Sequence, residues 1–295
     1  MDDGSRDGSR ALLDAAAGRD PRLRVIDGFG RGLVAALNAA GAAARGPLLA
    51  RMDADDEARP ERLARQVERL ERDPDVDILG CLVELVDAGV PRNDGMRAYV
   101  EWSNGLVDHD AIVADMLVES PLAHPSVAMR AGAFRRLGGY RDFDGPEDYD
   151  LWLRARRAGC RFAKVPEVLL GWRDAPTRLS RTHPRYAAER FFALKLEALL
   201  QEVEPAAPLV VWGAGPIGKG WARALLEAGR RVRAFVEVDP RKLGRVIHGA
   251  PVLRVDEAAA LAGDVHLAAV GSAASRAEIR RQAAASGIAR MIAVA

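Results

Sequence analysis

Lysine is nearly missing from this chain. Of 43 basic residues only four are lysines, at positions 164, 195, 219 and 242. The rest are arginines, and beside the abundant alanine they read as a compositional bias with little functional content. Net charge is +1, so the basic excess that marks nucleic-acid binding is absent. Cysteine is rarer still. Cys81 and Cys160 lie far apart, match no zinc-ligand spacing, and predict a reducing, cytoplasmic setting. No signal-peptide pattern and no apolar run long enough to cross a bilayer is present, which leaves peripheral attachment to a membrane open. What remains is an ordinary soluble composition. With 295 residues, 49% of them hydrophobic and 29% charged, the chain has ample core and the length of about two domains.

One stretch organises the chain, residues 48–60, Leu-Leu-Ala-Arg-Met-Asp-Ala-Asp-Asp-Glu-Ala-Arg-Pro. The apolar run 48–50 predicts a short buried strand that delivers Asp53, Asp55 and Asp56 onto the turn at its carboxyl end. Arg59-Pro60 then opens a helix with Leu63, Val67 and Leu70 at helical spacing. Ligands of open α/β sheets bind at the carboxyl ends of strands. Three carboxylates in four residues repel one another, and a hard divalent cation with oxygen ligands relieves that repulsion. A solvated acidic turn capping the next helix is the other reading, and the local pattern leaves both open.

The flanking segments alternate between strand and helix. Helices are predicted over 10–17 and 33–44, the second with Leu33, Leu37 and Ala40 on one face and Asn38 on a neighbouring face turned toward the site. A short strand is predicted over 23–26, another strand or pair of strands over 76–86, and a further short one over 127–129. This order implies a mostly parallel sheet. Residues 91–120 read as an irregular wall plus a helix. Gly145-Pro146-Glu147-Asp148 then opens a helix with proline at its first position and two acids in its first turn. Its inward stripe is Leu151, Ala155 and Ala158, which places the Asp148 carboxylate at the helix mouth. Glu147 and Asp148 serve either as chemistry or as caps that complement the helix dipole. The basic segment 173–185 offers Arg178 as a phosphate clamp or as part of a solvated loop. After the proline-bearing linker at 204–208 the pattern restarts with a strand, the turn Gly213-Ala214-Gly215-Pro216-Ile217-Gly218, a helix, and four further strands in one small doubly wound unit.

Four stretches, in this order and spacing, carry a resemblance across roughly residues 2–190. They are Asp2-Asp3-Gly4-Ser5, Asp53-Ala54-Asp55-Asp56, His124-Pro125-Ser126, and Gly138-Gly139-Tyr140 through Glu147-Asp148-Tyr149-Asp150-Leu151-Trp152. Together they resemble the family 2 glycosyltransferases with the GT-A nucleotide-diphospho-sugar fold, an α/β fold with a mixed, mostly parallel sheet. The resemblance implies an inverting glycosyltransferase over residues 1–203. Its donor would be a nucleotide sugar, with a UDP-sugar favoured, and its acceptor a glycan or lipid-linked glycan in surface polysaccharide assembly, at the inner face of the membrane. Asp2 or Asp3 would contact the nucleoside, Asn38 and Arg178 the rest of the donor, and Asp53 the ribose or the metal shell. Asp55 would ligate Mn²⁺ or Mg²⁺, and Asp148 of the Glu147-Asp148 pair would be the general base, held ionised by the helix dipole. Family members carry a strand and a helix ahead of the Asp-Asp-Gly-Ser turn, so the first domain reads as truncated, with the recorded start downstream of the true one.

Residues 208–295 resemble a Rossmann-type unit. Gly213, Gly215 and Gly218 fit G-x-G-x-x-G between a strand and a helix, and Glu237 or Asp239 stands where a ribose-binding acid belongs. The ligand implied is NAD(P) or another nucleotide, and a glycine turn serving structure alone is the other reading. The rival function is a catalytically impaired nucleotide-sugar or dinucleotide-binding protein acting through this second domain.

Overall fold

The computed structural model describes residues 1–86 and 94–295. The chain divides into two compact units, one of Met1–Asn93 with Leu122–Ala187, the other of Asp94–Pro121 with Ala188–Ala295. The first three residues of the expected irregular wall, 91–93, lie outside the described residues.

In the first unit the helices are α1 (Ser9–Arg19) and α2 (Leu33–Ala43), followed by α3 (Arg62–Arg72). The strands β1 (Leu48–Ala50), β2 (Glu57–Ala58), β3 (Val76–Val86), β4 (Ala128–Arg130) and β5 (Arg161–Arg173) form one sheet in the order β1-β4-β3-β5-β2. The sheet is mixed. Its longest pairing, β3 against β5, is parallel, while the short pairings β1–β4, β3–β4 and β2–β5 are antiparallel. Ile78, Leu79, Cys81 and Val83 on β3 and Phe162, Ala163 and Val165 on β5 are buried, so this parallel pair forms the heart of the core. β1 ends the sheet order, and its three residues are half-buried or exposed where the sequence predicts a buried strand. Residues 23–26 make no strand. An isolated parallel bridge between Asp2 and Asp27 stands there instead.

The buried face of α3 corrects the sequence reading. Leu63 is 58% exposed and Val67 39% exposed, whereas Arg62, Gln66 and Leu70 are buried. Polar side chains hold that face because each donates to backbone carbonyls of the sheet and its adjoining loops. Arg62 Nη2 donates to Arg51 O at 2.7 Å. Gln66 Nε2 donates to Ser126 O at 2.8 Å and Leu79 O at 3.3 Å. On α2 the buried residues are Val34 and Ala36, one position off the predicted stripe.

The helices α4 (Asp94–Gly105) and α5 (His109–Ala114) belong to the second unit, and α6 (Ala131–Arg136), α7 (Glu147–Arg157) and α8 (Leu179–Thr182) to the first. The remaining helices, all in the second unit, are α9 (Ala188–Glu202), α10 (Pro216–Glu227) and α11 (Ala273–Ala285). On α7, Leu151 and Ala155 are fully buried as predicted, while Ala158 is exposed because the helix already ends at Arg157.

The second sheet contains β6 (Leu209–Trp212), β7 (Val232–Val236), β8 (Val246–Ile247), β9 (Ala250–Leu253), β10 (Val265–Ala268) and β11 (Met291–Ala293), in the order β11-β10-β6-β7-β9-β8. All pairings are parallel except β8–β9. The chain runs outward from β6 through β7 and β9, then returns to β10 on the other side of β6. Val210, Trp212, Ala234 and Val236 pack with Ala258, Leu261, Ala283 and Ile288 into one core. Inside it Trp212 Nε1 donates to His266 Nδ1, and His266 Nε2 pairs with Leu261 O, both at 2.9 Å. His266 is therefore fixed as the neutral tautomer that carries its proton on Nε2. No helix among the described residues is long and apolar enough to cross a membrane.

Candidate active site

The turn after β1 gathers the three acids. One carboxylate oxygen from each of Asp53, Asp55 and Asp56 lies within 4.8 Å of the others. Asp55 is exposed, Asp53 is half-buried, and Asp56 is buried. The strand β5 locks the turn, since Arg173 N–H donates to Asp56 Oδ1 at 2.9 Å and Arg173 Nε donates to Asp55 O at 2.8 Å. Asp56 Oδ2 is buried with no hydrogen-bond partner. Burial, helped by the charges of Asp53 and Asp55, pushes the Asp56 carboxyl up to about 6. An all-oxygen donor set, an orphaned buried oxygen and mutual repulsion together suit a hard divalent cation.

Two cations border the turn. Arg51 forms an ion pair with Asp53. Arg178 lies with its guanidinium 4.4 Å from the Trp172 ring centroid and 3.9 Å from Asp174, and its charge acts at Asp56. The predicted clamp residue is therefore held near the acids, stacked on an aromatic face that leaves its charge available.

The second half of the site is the mouth of α7. Pro146 caps this helix and Glu147 begins it. Glu147 is buried; Tyr186 O–H donates to its Oε2 at 2.7 Å, and its Oε1 is 3.9 Å from His124 Nδ1. His124 Nε2 and Tyr140 OH are 2.7 Å apart. Burial depresses the His124 imidazole well below its ordinary value and raises the Tyr140 phenol. Both groups are thus neutral at pH 7. Asp148 is half-buried, and its Oδ1 accepts from Tyr149 N–H at 2.7 Å. The helix dipole does not hold its carboxyl down as the sequence reading expects. Burial first, then the neighbouring Glu147 charge, push it up to about 7. Of the two adjacent acids, Glu147 is buried and pinned by a tyrosine, whereas Asp148 is half-buried with a raised carboxyl, the state suited to proton transfer near neutrality.

The predicted nucleoside contacts have local duties. Asp2 is buried, with Oδ1 accepting from Ser5 N–H at 3.0 Å. The two Asp3 oxygens accept from Arg31 N–H at 3.1 Å and Gly32 N–H at 2.8 Å, tying the first loop to the start of α2. Asn38 donates to Tyr140 O at 2.8 Å and accepts from Tyr140 N–H at 2.9 Å, so both ends of its amide hold the turn that carries Tyr140. Arg51, Tyr140 and Tyr186 escaped the sequence reading as site residues. Only Tyr140 had a signal, inside the Gly138-Gly139-Tyr140 turn.

In the second unit the glycine turn follows β6 and leads into α10. A Cβ on Gly218 would lie 1.8 Å from Gly213 O, and Gly213 has φ +102° with Ala269 O against its open side. Gly218 is required by close packing of helix on turn, and Gly213 by its left-handed backbone against Ala269. Gly215 faces open space. Glu237 folds onto this turn, accepting from Ala214 N–H at 3.0 Å and pairing with Lys242 at 2.8 Å. Asp239 turns instead to Arg241, at 2.9 Å.

The chain is similar to several curated proteins. It is 30% identical over 179 residues to an uncharacterized glycosyltransferase of Haemophilus influenzae, across 59% of this chain and 54% of that protein. It is 32% identical over 193 residues to the "Putative glycosyltransferase EpsE" of Bacillus subtilis, across 64% of this chain and 66% of that protein. It is 31% identical to the UDP-Gal:alpha-D-GlcNAc-diphosphoundecaprenol beta-1,3-galactosyltransferase of Escherichia coli, across 48% of this chain and 49% of that protein. The matched region thus spans about half to two thirds of these relatives' length. The family model described as Glycosyl transferase family 2 matches residues 1–137, which include the acidic turn and the His124 loop. The chain belongs, through this amino-terminal region, to glycosyl transferase family 2.

Proposed function

We propose that the chain is an inverting glycosyltransferase that moves a hexosyl group from a nucleoside diphosphate to a glycan or lipid-linked hydroxyl acceptor. The observation that carries this reading is the presence, in one unit, of a three-carboxylate turn suited to a cation and, at the mouth of α7, of a half-buried Asp148 beside the tyrosine-held Glu147. Asp55, Asp53 and Asp56 would hold Mn²⁺ or Mg²⁺, which when bound neutralises charge developing on the leaving diphosphate. Arg178, steadied by Trp172 and Asp174, would bind a diphosphate oxygen. Asp2 and Asp3 would line the nucleoside end, and Asn38 would act through the turn it fixes. Asp148 would take the proton of the attacking hydroxyl as its oxygen bonds to the anomeric carbon and the bond to the leaving phosphate oxygen breaks. A single displacement of this kind inverts the anomeric centre. The E. coli relative's name supports a UDP-sugar donor and a lipid-diphosphate acceptor. Incubation of the protein with UDP-sugars, Mn²⁺ and a polyprenyl diphosphate-linked sugar tests it. A product of opposite anomeric configuration by NMR supports the reading, and retention of configuration or sugar release to water alone contradicts it.

A second reading rests on the glycine turn. It lies at the carboxyl end of β6, where the chain reverses its direction across the sheet, the place where parallel α/β sheets bind ligands. A nucleotide such as NAD(P) would approach at Gly215, with Gly213 and Gly218 shaping the turn. Glu237, and not Asp239, is the acid turned toward it. Titration with NAD(H), NADP(H) and UDP on a Gly215→Val variant separates this from a purely structural turn.

A further inference from the structure

Arg51 stands at the carboxyl end of β1, two residues before Asp53. Its backbone is fixed at both ends. Its N–H donates to Val127 O at 2.9 Å, and its carbonyl accepts from Arg62 Nη2 at 2.7 Å. One guanidinium nitrogen, Nη2, is ion-paired with Asp53. The other two, Nε and Nη1, are buried and have no hydrogen-bond partner. Folded proteins retain few such donors, because a buried N–H without an acceptor forfeits its hydration. Two on one side chain call for a missing acceptor.

The surroundings say where that acceptor lies. The Arg51 charge acts at His124, Tyr140 and Asp148 as well as pairing with Asp53. Arg51 therefore adjoins the interval between the acidic turn and the mouth of α7. In a single displacement the sugar must fill that interval, because its anomeric carbon lies between the leaving phosphate oxygen and the attacking hydroxyl. We propose that Arg51 is a ligand of the donor's sugar, with Nε and Nη1 donating to hydroxyl or ring oxygens of the hexosyl group. This rests on the donor-site reading above. The Asp53 ion pair steers the guanidinium, and its planar fork presents donors that a lysine ammonium cannot reproduce.

The test is a calorimetric comparison with Mn²⁺ present, on wild type, Arg51→Lys and Arg51→Met. The probes are UDP, UDP-glucose, UDP-galactose and UDP-N-acetylglucosamine, with GDP and GDP-mannose as a second pair. The proposal expects both variants to weaken at least one sugar nucleotide about tenfold while its parent diphosphate stays within about twofold, the size of lost hydrogen bonds to a charged donor. Arg51→Lys keeps the charge beside Asp53, so it carries the test if Arg51→Met fails to fold. Equal weakening of diphosphate and sugar nucleotide would assign Arg51 to the diphosphate and overturn the proposal. Unchanged affinities with a lowered melting temperature would make Arg51 structural and overturn it as well. A wild type that binds neither diphosphate is a different result, because it removes the donor site itself.

Discussion

Tyr186 donates its hydroxyl to Glu147 Oε2 at 2.7 Å across 39 positions of sequence. This bond separates two adjacent acids into different roles. Glu147 is buried and held, while Asp148 beside it is half-buried. Removing the hydroxyl should leave a buried carboxylate oxygen short of a donor. Tyr186→Phe is expected to cost about 1–3 kcal/mol in urea unfolding. A change under about 0.5 kcal/mol, the range of an inert surface substitution, would mean the bond holds nothing.

Asp148→Asn should abolish proton acceptance with little change in shape. Turnover is expected to fall about 10²–10⁴-fold while donor affinity is kept. The wild-type pH profile has a defined sign. Asp148 works ionised and its carboxyl lies at about 7, so kcat/KM should rise nearly tenfold per pH unit below neutrality and level off above it. A profile flat from pH 5.5 to 8 would remove Asp148 as the base.

The helix α3 offers a stability contrast that inverts ordinary expectation. Gln66→Leu puts an apolar residue on a helix face and should still destabilise the protein by about 1–3 kcal/mol, because it strips a donor from Ser126 O and Leu79 O. Leu63→Ser, at a position 58% exposed, should stay within about 0.5 kcal/mol. The opposite order in urea melts would restore the stripe that the sequence spacing suggests.

These cases show which parts were legible in the sequence. The grouping of Asp53, Asp55 and Asp56 on one turn and the start of α7 at Glu147 follow from spacing, a proline and local charge, although Arg173, 117 positions from Asp56, is what locks the turn. The core stripe of α7 was nearly right for the same reason. The buried face of α3 was not, because Arg62 and Gln66 are satisfied by carbonyls of Arg51, Leu79 and Ser126 that only folding brings near. Strand direction was equally hidden. Nothing in Ala128–Arg130 announces an antiparallel partner on each side. The raised carboxyl of Asp148 reflects desolvation by distant chain, which outweighs a helix dipole visible in the sequence. Asn38 was singled out by its polarity, yet its amide is spent on the backbone of Tyr140, 102 positions away.

His266 supplies a pH test of the second unit. Burial lowers its pKa below the ordinary 6.5, so the unfolded chain takes up a proton that the folded one refuses. The stability this contributes is fully present above about 6.5 and is lost as pH falls from there toward the depressed value, at no more than about 1.4 kcal/mol per pH unit. Between pH 7 and 5.5, His266→Leu should show a smaller loss of stability than wild type, whatever its stability at pH 7. Parallel pH dependence in the two proteins would place the titration elsewhere.

The most direct test of the central claim is calorimetric titration of UDP, with and without Mn²⁺, into wild type and Asp55→Ala. The account predicts binding that needs the cation and drops at least tenfold in the variant, since Asp55 is the most open of the three carboxylates gathered at the turn. UDP binding that is indifferent to both the cation and Asp55, or its transfer to Gly215→Val sensitivity, would contradict it and move the nucleotide site to the glycine turn of the second unit.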